Sequence, residues 1–443
     1  MKHFGTDGIR QAAEKFTPDF LNSVAAGLAD YAFDLIPDRP AKVLIGGDTR
    51  ESTEWILQDL GAALESLGFE YASVGVLPTP AINYCFYEMG FDFAIDVTAS
   101  HNPYTDNGIK IFERGRTSGI KLTEPGVATI EKALEDKETI SLISPTLRED
   151  SHDEALALYK EHLLSYVGDA DFSKLHLGID CANGATSVIN KTVFEHYGAT
   201  VELINADQNY GEGINANCGS THLEQLAELV KSHHLDFGIA YDGDGDRCLL
   251  VDHEGNTVDG DEIIAALANY LGLDAIATTV MANQGLLNWA AENHIKTEIT
   301  AVGDSNVAEA MRLHDIKIGG EQSGHIILPN EATGDGILTS LMIAKAATGS
   351  STSLANLAKI ITKFPQIILN MPATPEQKEN LKSLDSAKNL LLDFSKKLES
   401  VSGRLLVRPS GTENLIRITM WGNDASEIEK LANELKTKLG EIL

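Results

Sequence analysis

The chain has 443 residues, 43% hydrophobic and 23% charged, an ordinary globular composition that excludes disorder, collagen and coiled coil and leaves room for roughly two to four domains. Lys and Arg number 35 against 65 Asp and Glu, a formal charge of −30. So acidic a surface argues against nucleic acid or an anionic membrane as partner, and any site for an anionic ligand must gather its own cations.

The opening residues MKHFGTDGIR lack the apolar core of a signal peptide, so no leader is expected. After them one pattern recurs three times: an apolar strand, a Gly/Asp/Asn-rich turn, an amphipathic helix, a break, and another strand. The first copy is KVLIGGDTR, a helix through Leu60 to Leu67, Gly68, then EYASVGV. The second is HLGIDCANGA, a helix through Val193 to Tyr197, Gly198, then TVELI. The apolar region Ile263 to Ala282 is interrupted by Asn269 and Asp274 and reads as a buried helix and a strand, too broken for a membrane span. The third copy is IATTVMANQG, a helix through Leu287 to Asn293, then KTEITAVGD. Such alternation predicts parallel or mixed sheets covered by helices, in three related α/β domains. The polar stretch NMPATPEQKENLKSLDSAKN reads as a connection into a small α+β domain. That domain holds a helix through Leu390 to Leu398, strands RLLVRP and LIRITMW, and a helix from Ala425 to Leu439. The boundaries expected are 1–150, 151–254, 255–367 and 368–443. The cysteines Cys85, Cys181, Cys218 and Cys248 form no CxxC, so neither a zinc site nor a disulfide framework is expected, and a reducing, cytoplasmic setting fits.

Five segments carry chemistry. Asp242-Gly243-Asp244-Gly245-Asp246-Arg247 lies between the apolar runs FGIAY and CLLVD. Its glycines let the backbone fold tightly, so that three hard carboxylate oxygens converge on one cation, Mg²⁺ in preference to Ca²⁺. An EF-hand is excluded, because Arg247 and His253 stand where Gly and Glu are required. Thr98-Ala99-Ser100-His101-Asn102-Pro103 follows the strand FAIDV, with Asp106-Asn107-Gly108-Ile109-Lys110 beyond it. Ser100 on a strand-exit turn is a nucleophile candidate and His101 and Lys110 supply a base or a cation, although by itself this segment is better explained as ordinary turn chemistry. Gly319 to His325, with Glu321, Ser323 and His325, is either a plain loop or a binder of sugar hydroxyls; it lacks the spacing of a hydrolase elbow. Arg408-Pro409-Ser410-Gly411-Thr412-Glu413-Asn414, then Arg417, combines arginines, hydroxyls and glycine-freed N–H groups into a phosphate nest. Phe4 to Arg10 reads as a tight loop presenting Arg10, or as a plain N-terminal turn.

Together these segments, in order from Phe4 to Arg417, resemble the α-D-phosphohexomutase superfamily, and GEQSGH with Gln322 resembles its glucosamine branch. The resemblance implies four domains around a central cleft. It implies that Ser100 carries a phosphoryl group, and that one Mg²⁺ is held by Asp242, Asp244, Asp246 and that serine. Transfer to a hexosamine phosphate would pass through a bisphosphorylated sugar, converting the 6-phosphate of glucosamine into the 1-phosphate, with catalytic hexose bisphosphate as activator. Lys110 is then the general base or acid, supported by His101 and Arg10, and Arg247 neutralises charge. Glu321 and Ser323 bind sugar hydroxyls with His325 nearby. Arg408, Ser410, Gly411, Thr412 and Arg417 hold the phosphate that is not transferred. A homodimer is implied as well. The alternatives are a mutase for mannose and glucose phosphates, a silent sugar-phosphate-binding protein, or an acidic cation-binding module. Three positions depart from the family pattern: Gln11 for a glycine, Ser305 for an arginine, and Asn414 for a proline.

Overall fold

The computed structural model describes residues 3–5, 7–137, 151–410 and 414–443. The chain divides into two compact units, Met1–Thr279 with Glu298–Lys359, and Val280–Thr297 with Ile360–Leu443.

The first sheet of the larger unit runs in the order Phe4–Gly5, Gly8–Ala12, Asp106–Arg114, Phe93–Val97, Lys42–Gly47 and Glu70–Val76. Phe93–Val97, Lys42–Gly47 and Glu70–Val76 are parallel neighbours; Asp106–Arg114 lies antiparallel to Phe93–Val97. Every residue of FAIDV is buried, as expected of a central strand covered on both faces. Val43, Ile45, Phe93, Ile95, Val97, Ile109 and Ile111 form the core with Leu21, Val24, Leu28, Leu57, Leu60 and Leu64 from the helices Pro18–Leu35 and Glu51–Ser66.

The second sheet runs Thr257–Val258, Cys248–Asp252, Phe237–Tyr241, His176–Asp180, Thr200–Ile204. Its last three strands are parallel, and FGIAY and CLLVD form an antiparallel hairpin with the acidic hexapeptide at its turn. In the third sheet Ala275–Thr279 is parallel to Gly319–Gly320, which pairs antiparallel with Ile326–Ile327. The Ile263–Ala282 region resolves into the helix Gly260–Tyr270, begun by an Asp259–Glu262 capping box, and the strand Ala275–Thr279. Among the described residues no helix is long and apolar enough to cross a membrane.

The smaller unit carries an antiparallel sheet, Gln366–Pro372, Leu415–Trp421, Arg404–Pro409, with helices Asp385–Leu398 and Ala425–Ile442 packed on it through Phe394, Leu398, Ile428, Leu431 and Leu435. The fold class is therefore as expected, but the polar stretch before it is not a connection. It completes the strand Gln366–Pro372 and forms the helix Pro375–Ser383. That helix is set by local chemistry rather than an apolar stripe. Thr374 and Gln377 make a capping box, Pro375 sits in the first turn, and only Leu381 is buried.

Candidate active site

Sites in parallel α/β sheets form beyond the carboxyl ends of the strands. Ser100 leaves the end of Phe93–Val97, and Asp48 and Arg50 leave the end of its parallel neighbour Lys42–Gly47. Ser100 is fully buried and held at φ +55°, a left-handed conformation that a non-glycine residue adopts at a cost. Its Oγ donates to Asp242 Oδ2 at 2.8 Å and lies 3.2 Å from His101 Nδ1. That nitrogen also accepts from Arg247 Nη1 at 3.1 Å, so the imidazole carries its proton on Nε2. Burial, then Arg247 and Arg10, push His101 down to about 4, leaving a neutral ring.

The acidic turn lies under this loop. Lys110, on Asp106–Arg114, donates to Asp244 Oδ2 at 2.7 Å and Asp246 Oδ2 at 2.8 Å, and its Nζ is 3.3 Å from Asp7 Oδ2. Burial works against its charge, but Asp244, Asp246 and Asp7 outweigh it and hold Lys110 well above the usual lysine range. Asp7 also takes Arg10 at 2.5 Å and Lys121 at 2.5 Å, and Lys121 pairs with Asp304 as well. Arg10, Arg247 and Lys121 keep side-chain exposures of 24%, 20% and 27%, so these are the cations an incoming anion can meet, whereas Lys110 at 3% is enclosed.

Asp242, Asp244 and Asp246 are buried, and each can offer an oxygen so that the three lie within 4.8 Å of one another. Asp244 Oδ1 and Asp246 Oδ1 are buried without a hydrogen-bond partner, a costly arrangement for carboxylates. Burial and the repulsion of Asp244 and Asp246 push the Asp242 carboxyl well above the carboxylate range. Two orphaned oxygens, a third carboxylate and a serine hydroxyl form an all-oxygen donor set that fits a hard divalent cation.

Behind Asp244 lies a further buried pair. Thr79 Oγ1 lies 2.9 Å from Asp244 Oδ2 and 2.5 Å from Asp96 Oδ2, yet the hydroxyl has one proton to give. Burial pushes the Asp96 carboxyl well up, against the pull of Lys110.

The segment Gly319 to His325 reaches the acidic turn through an isolated bridge between Arg247 and His325. Ser323 is exposed and Glu321 half-buried, with Glu321 Oε1 accepting from Gly303 N at 3.1 Å. Gln322 Nε2 donates to Asp259 Oδ2 at 3.2 Å, and Gly260 N donates to Gln322 O, so the loop hangs on the capping residues of Gly260–Tyr270. His325 is buried; its Nε2 accepts from Gly334 N at 3.2 Å. In the smaller unit Arg408 stands directly opposite Arg417 across adjacent strands, and Lys378 Nζ donates to Ser410 O at 2.9 Å. Like charges directly opposite are unfavourable in a sheet unless neighbouring groups offset them, and Arg417 Nε donates to Asn370 Oδ1 at 3.2 Å. Gly411 and Thr412 lie outside the described residues.

Asp48, Arg50, Thr79, Asp96, Lys121 and Asn215 were not expected from the sequence. Asp48 and Arg50 carried the one usable signal, charged residues at the exit of a parallel strand.

Residues 1–141 match the phosphoglucomutase/phosphomannomutase alpha/beta/alpha domain I, 157–255 domain II, 259–364 domain III, and 372–438 the C-terminal domain of the same family. The chain is 42% identical to a phosphoglucosamine mutase of Caldicellulosiruptor saccharolyticus, with 98% of each covered. It is 37% identical to that of Clostridioides difficile, covering 100% of this chain and 99% of the other. A solved phosphoglucomutase/phosphomannomutase family protein from Burkholderia thailandensis superposes with a TM-score of 0.79 at 20% identity, over 99% of this chain and 97% of that one.

Proposed function

The chain belongs to the phosphoglucomutase/phosphomannomutase family, among its phosphoglucosamine mutases, and from that premise we propose how its residues interconvert glucosamine 6-phosphate and glucosamine 1-phosphate. One observation carries the reading: a buried serine in a left-handed turn donates its hydroxyl hydrogen bond to the first carboxylate of a buried three-aspartate loop.

Ser100 is the phosphoryl carrier. In the first half-reaction the bond from phosphorus to Ser100 Oγ breaks and a bond to the free sugar hydroxyl forms. The proton lost by that hydroxyl balances the one gained by Ser100 Oγ. His101 Nδ1, 3.2 Å from Ser100 Oγ and engaged by Arg247 Nη1, holds that guanidinium beside the serine oxygen in support of the transfer. The resulting bisphosphate returns its other phosphoryl group to Ser100 in the mirror-image step. Asp242, Asp244, Asp246 and an oxygen on Ser100 would hold Mg²⁺, which supplies positive charge to the transferring phosphoryl group. Lys110 remains an ammonium that keeps the aspartates from repelling one another. Arg10 and Arg247, partly exposed, meet the phosphate in transfer. Glu321 and Ser323 bind sugar hydroxyls, and buried His325 holds their loop. Arg408, Ser410 and Arg417, with Gly411 and Thr412, bind the phosphate that is not transferred.

The test is Ser100→Ala. The variant should lose turnover and take up no label from radioactive hexose bisphosphate, while the parent carries the label on the peptide containing Ser100. Near-normal turnover in the variant would refute a Ser100 phosphoenzyme.

A further inference from the structure

We propose that Arg50 and Asn215 are positioning residues that clamp the carbonyl of Ser100 and so aim its Oγ; the proposal rests on the reading of Ser100 as phosphoryl carrier.

Arg50 is 2% exposed, and all five of its N–H donors are used locally. Nε donates to Asp48 Oδ2 at 2.9 Å. Nη1 donates to the carbonyls of Pro103 and Asp106, and Nη2 to those of Ser100 and Asn102, each at 2.9 Å in the latter pair. Four carbonyls of the serine loop thus converge on one guanidinium. Asp48 Oδ2 also accepts from Thr98 Oγ1 at 2.7 Å, and Thr98 Oγ1 accepts the N–H of Ser100 at 2.9 Å. The circuit closes: Ser100 N–H to Thr98, Thr98 to Asp48, Asp48 to Arg50, Arg50 to Ser100 C=O.

The second donor comes from another module. Asn215 Nδ2 donates to Ser100 O at 2.9 Å and to Asn102 O at 3.3 Å. The Ser100 carbonyl then accepts two hydrogen bonds, one from Arg50 and one from Asn215. Gly243 of the acidic turn closes over the same atom; a Cβ there would sit 2.8 Å from Ser100 O and 2.9 Å from Asn215 Nδ2. The two peptide planes flanking Ser100 are fixed through its N–H and its C=O, which holds φ at +55°. With that angle set, the Cα–Cβ bond points Oγ at Asp242. Release of the carbonyl would let the residue relax toward the common φ < 0 regions and swing Oγ away.

The five Arg50 donors and the Asn215 Nδ2 are spent within the protein, so the clamp acts on the chemical step more than on binding. The decisive variant is Asn215→Gly. Asn215 has φ +56°, which glycine adopts freely, so only the amide is lost. Arg50→Lys keeps a cation beside Asp48 but removes the fork. For each, kcat and KM for glucosamine 6-phosphate, the phosphate content of Ser100 by intact mass, and the melting temperature are measured. The expected result for Asn215→Gly is a fall in kcat of about a hundredfold, the scale of an ångström's misplacement, with KM within about twofold. Its melting temperature should stay near that of the parent. Parental kcat in Asn215→Gly overturns the clamp, and so does a kcat loss matched by the loss of folded protein. Turnover in Ser100→Ala overturns the parent reading instead, so the two failures are told apart.

Discussion

Asp335→Asn should change the pH dependence of stability in a direction that the structure fixes. Asp335 is buried at the start of the helix Gly336–Gly349; its Oδ1 accepts from Leu338 N at 2.8 Å and its Oδ2 from Tyr159 Oη at 2.9 Å. Burial pushes its carboxyl up to about 6, with Glu331 adding to the rise, while the Leu338 N–H, the Tyr159 hydroxyl and His162 oppose it. An unfolded aspartate titrates near ~3.9, so the folded form holds its proton about two pH units more tightly, worth about 3 kcal/mol in all. The folded value is the higher one. The stabilisation is therefore fully present below about pH 4 and is lost as the pH rises through 6; about half of it falls between pH 5 and 8. Asparagine keeps the cap through its Oδ1 and can donate to the Tyr159 oxygen through Nδ2, but it does not titrate. Tyr159 then loses its acceptor, a cost of about 1 kcal/mol at every pH. Melting of parent and variant is compared at pH 5 and pH 8 at one ionic strength and scan rate. His162, 3.3 Å from Glu331, titrates in both proteins. Relative to the parent, the Asp335→Asn variant should gain about 1 kcal/mol, roughly a degree or two in melting temperature, on going from pH 5 to pH 8. An equal difference at both pH values would refute the assignment of a raised carboxyl at this cap.

Two further outcomes follow from the acidic turn and the opposed arginines. Mg²⁺ should raise the melting temperature in a saturable way, worth about 2.7 kcal/mol at a hundred times its Kd, and Asp244→Asn should abolish that rise; a shift that survives in the variant would place the ion elsewhere. Arg408→Ala should raise KM by about tenfold to a hundredfold, the loss of one charge-assisted phosphate contact of about 1.5–3 kcal/mol. Unchanged steady-state constants would count against the cradle.

What the sequence revealed and what it hid divide on physical lines. The acidic turn, the Ser100 turn and the Arg408 strand were legible because each is a short run in which glycines, carboxylates or hydroxyls sit side by side. The hairpin and the parallel strands were legible from apolar runs bounded by turn residues. Arg50 and Asn215 were not, since they act on backbone carbonyls 50 and 115 residues away, and no local pattern records such a pairing. Asp96 looked like part of a buried strand, and only its placement beside Thr79 and opposite Lys110 shows a buried carboxyl behind the acidic turn. The helix Pro375–Ser383 was missed because one buried leucine leaves no apolar period to detect.

The most direct measurement is a mutase assay on the 6-phosphates of glucosamine, mannose and glucose, with Mg²⁺ and catalytic hexose bisphosphate. The kcat/KM for the glucosamine ester should lie far above the other two. Dominant activity on mannose or glucose 6-phosphate, or none on any of the three from protein phosphorylated on Ser100, would contradict it.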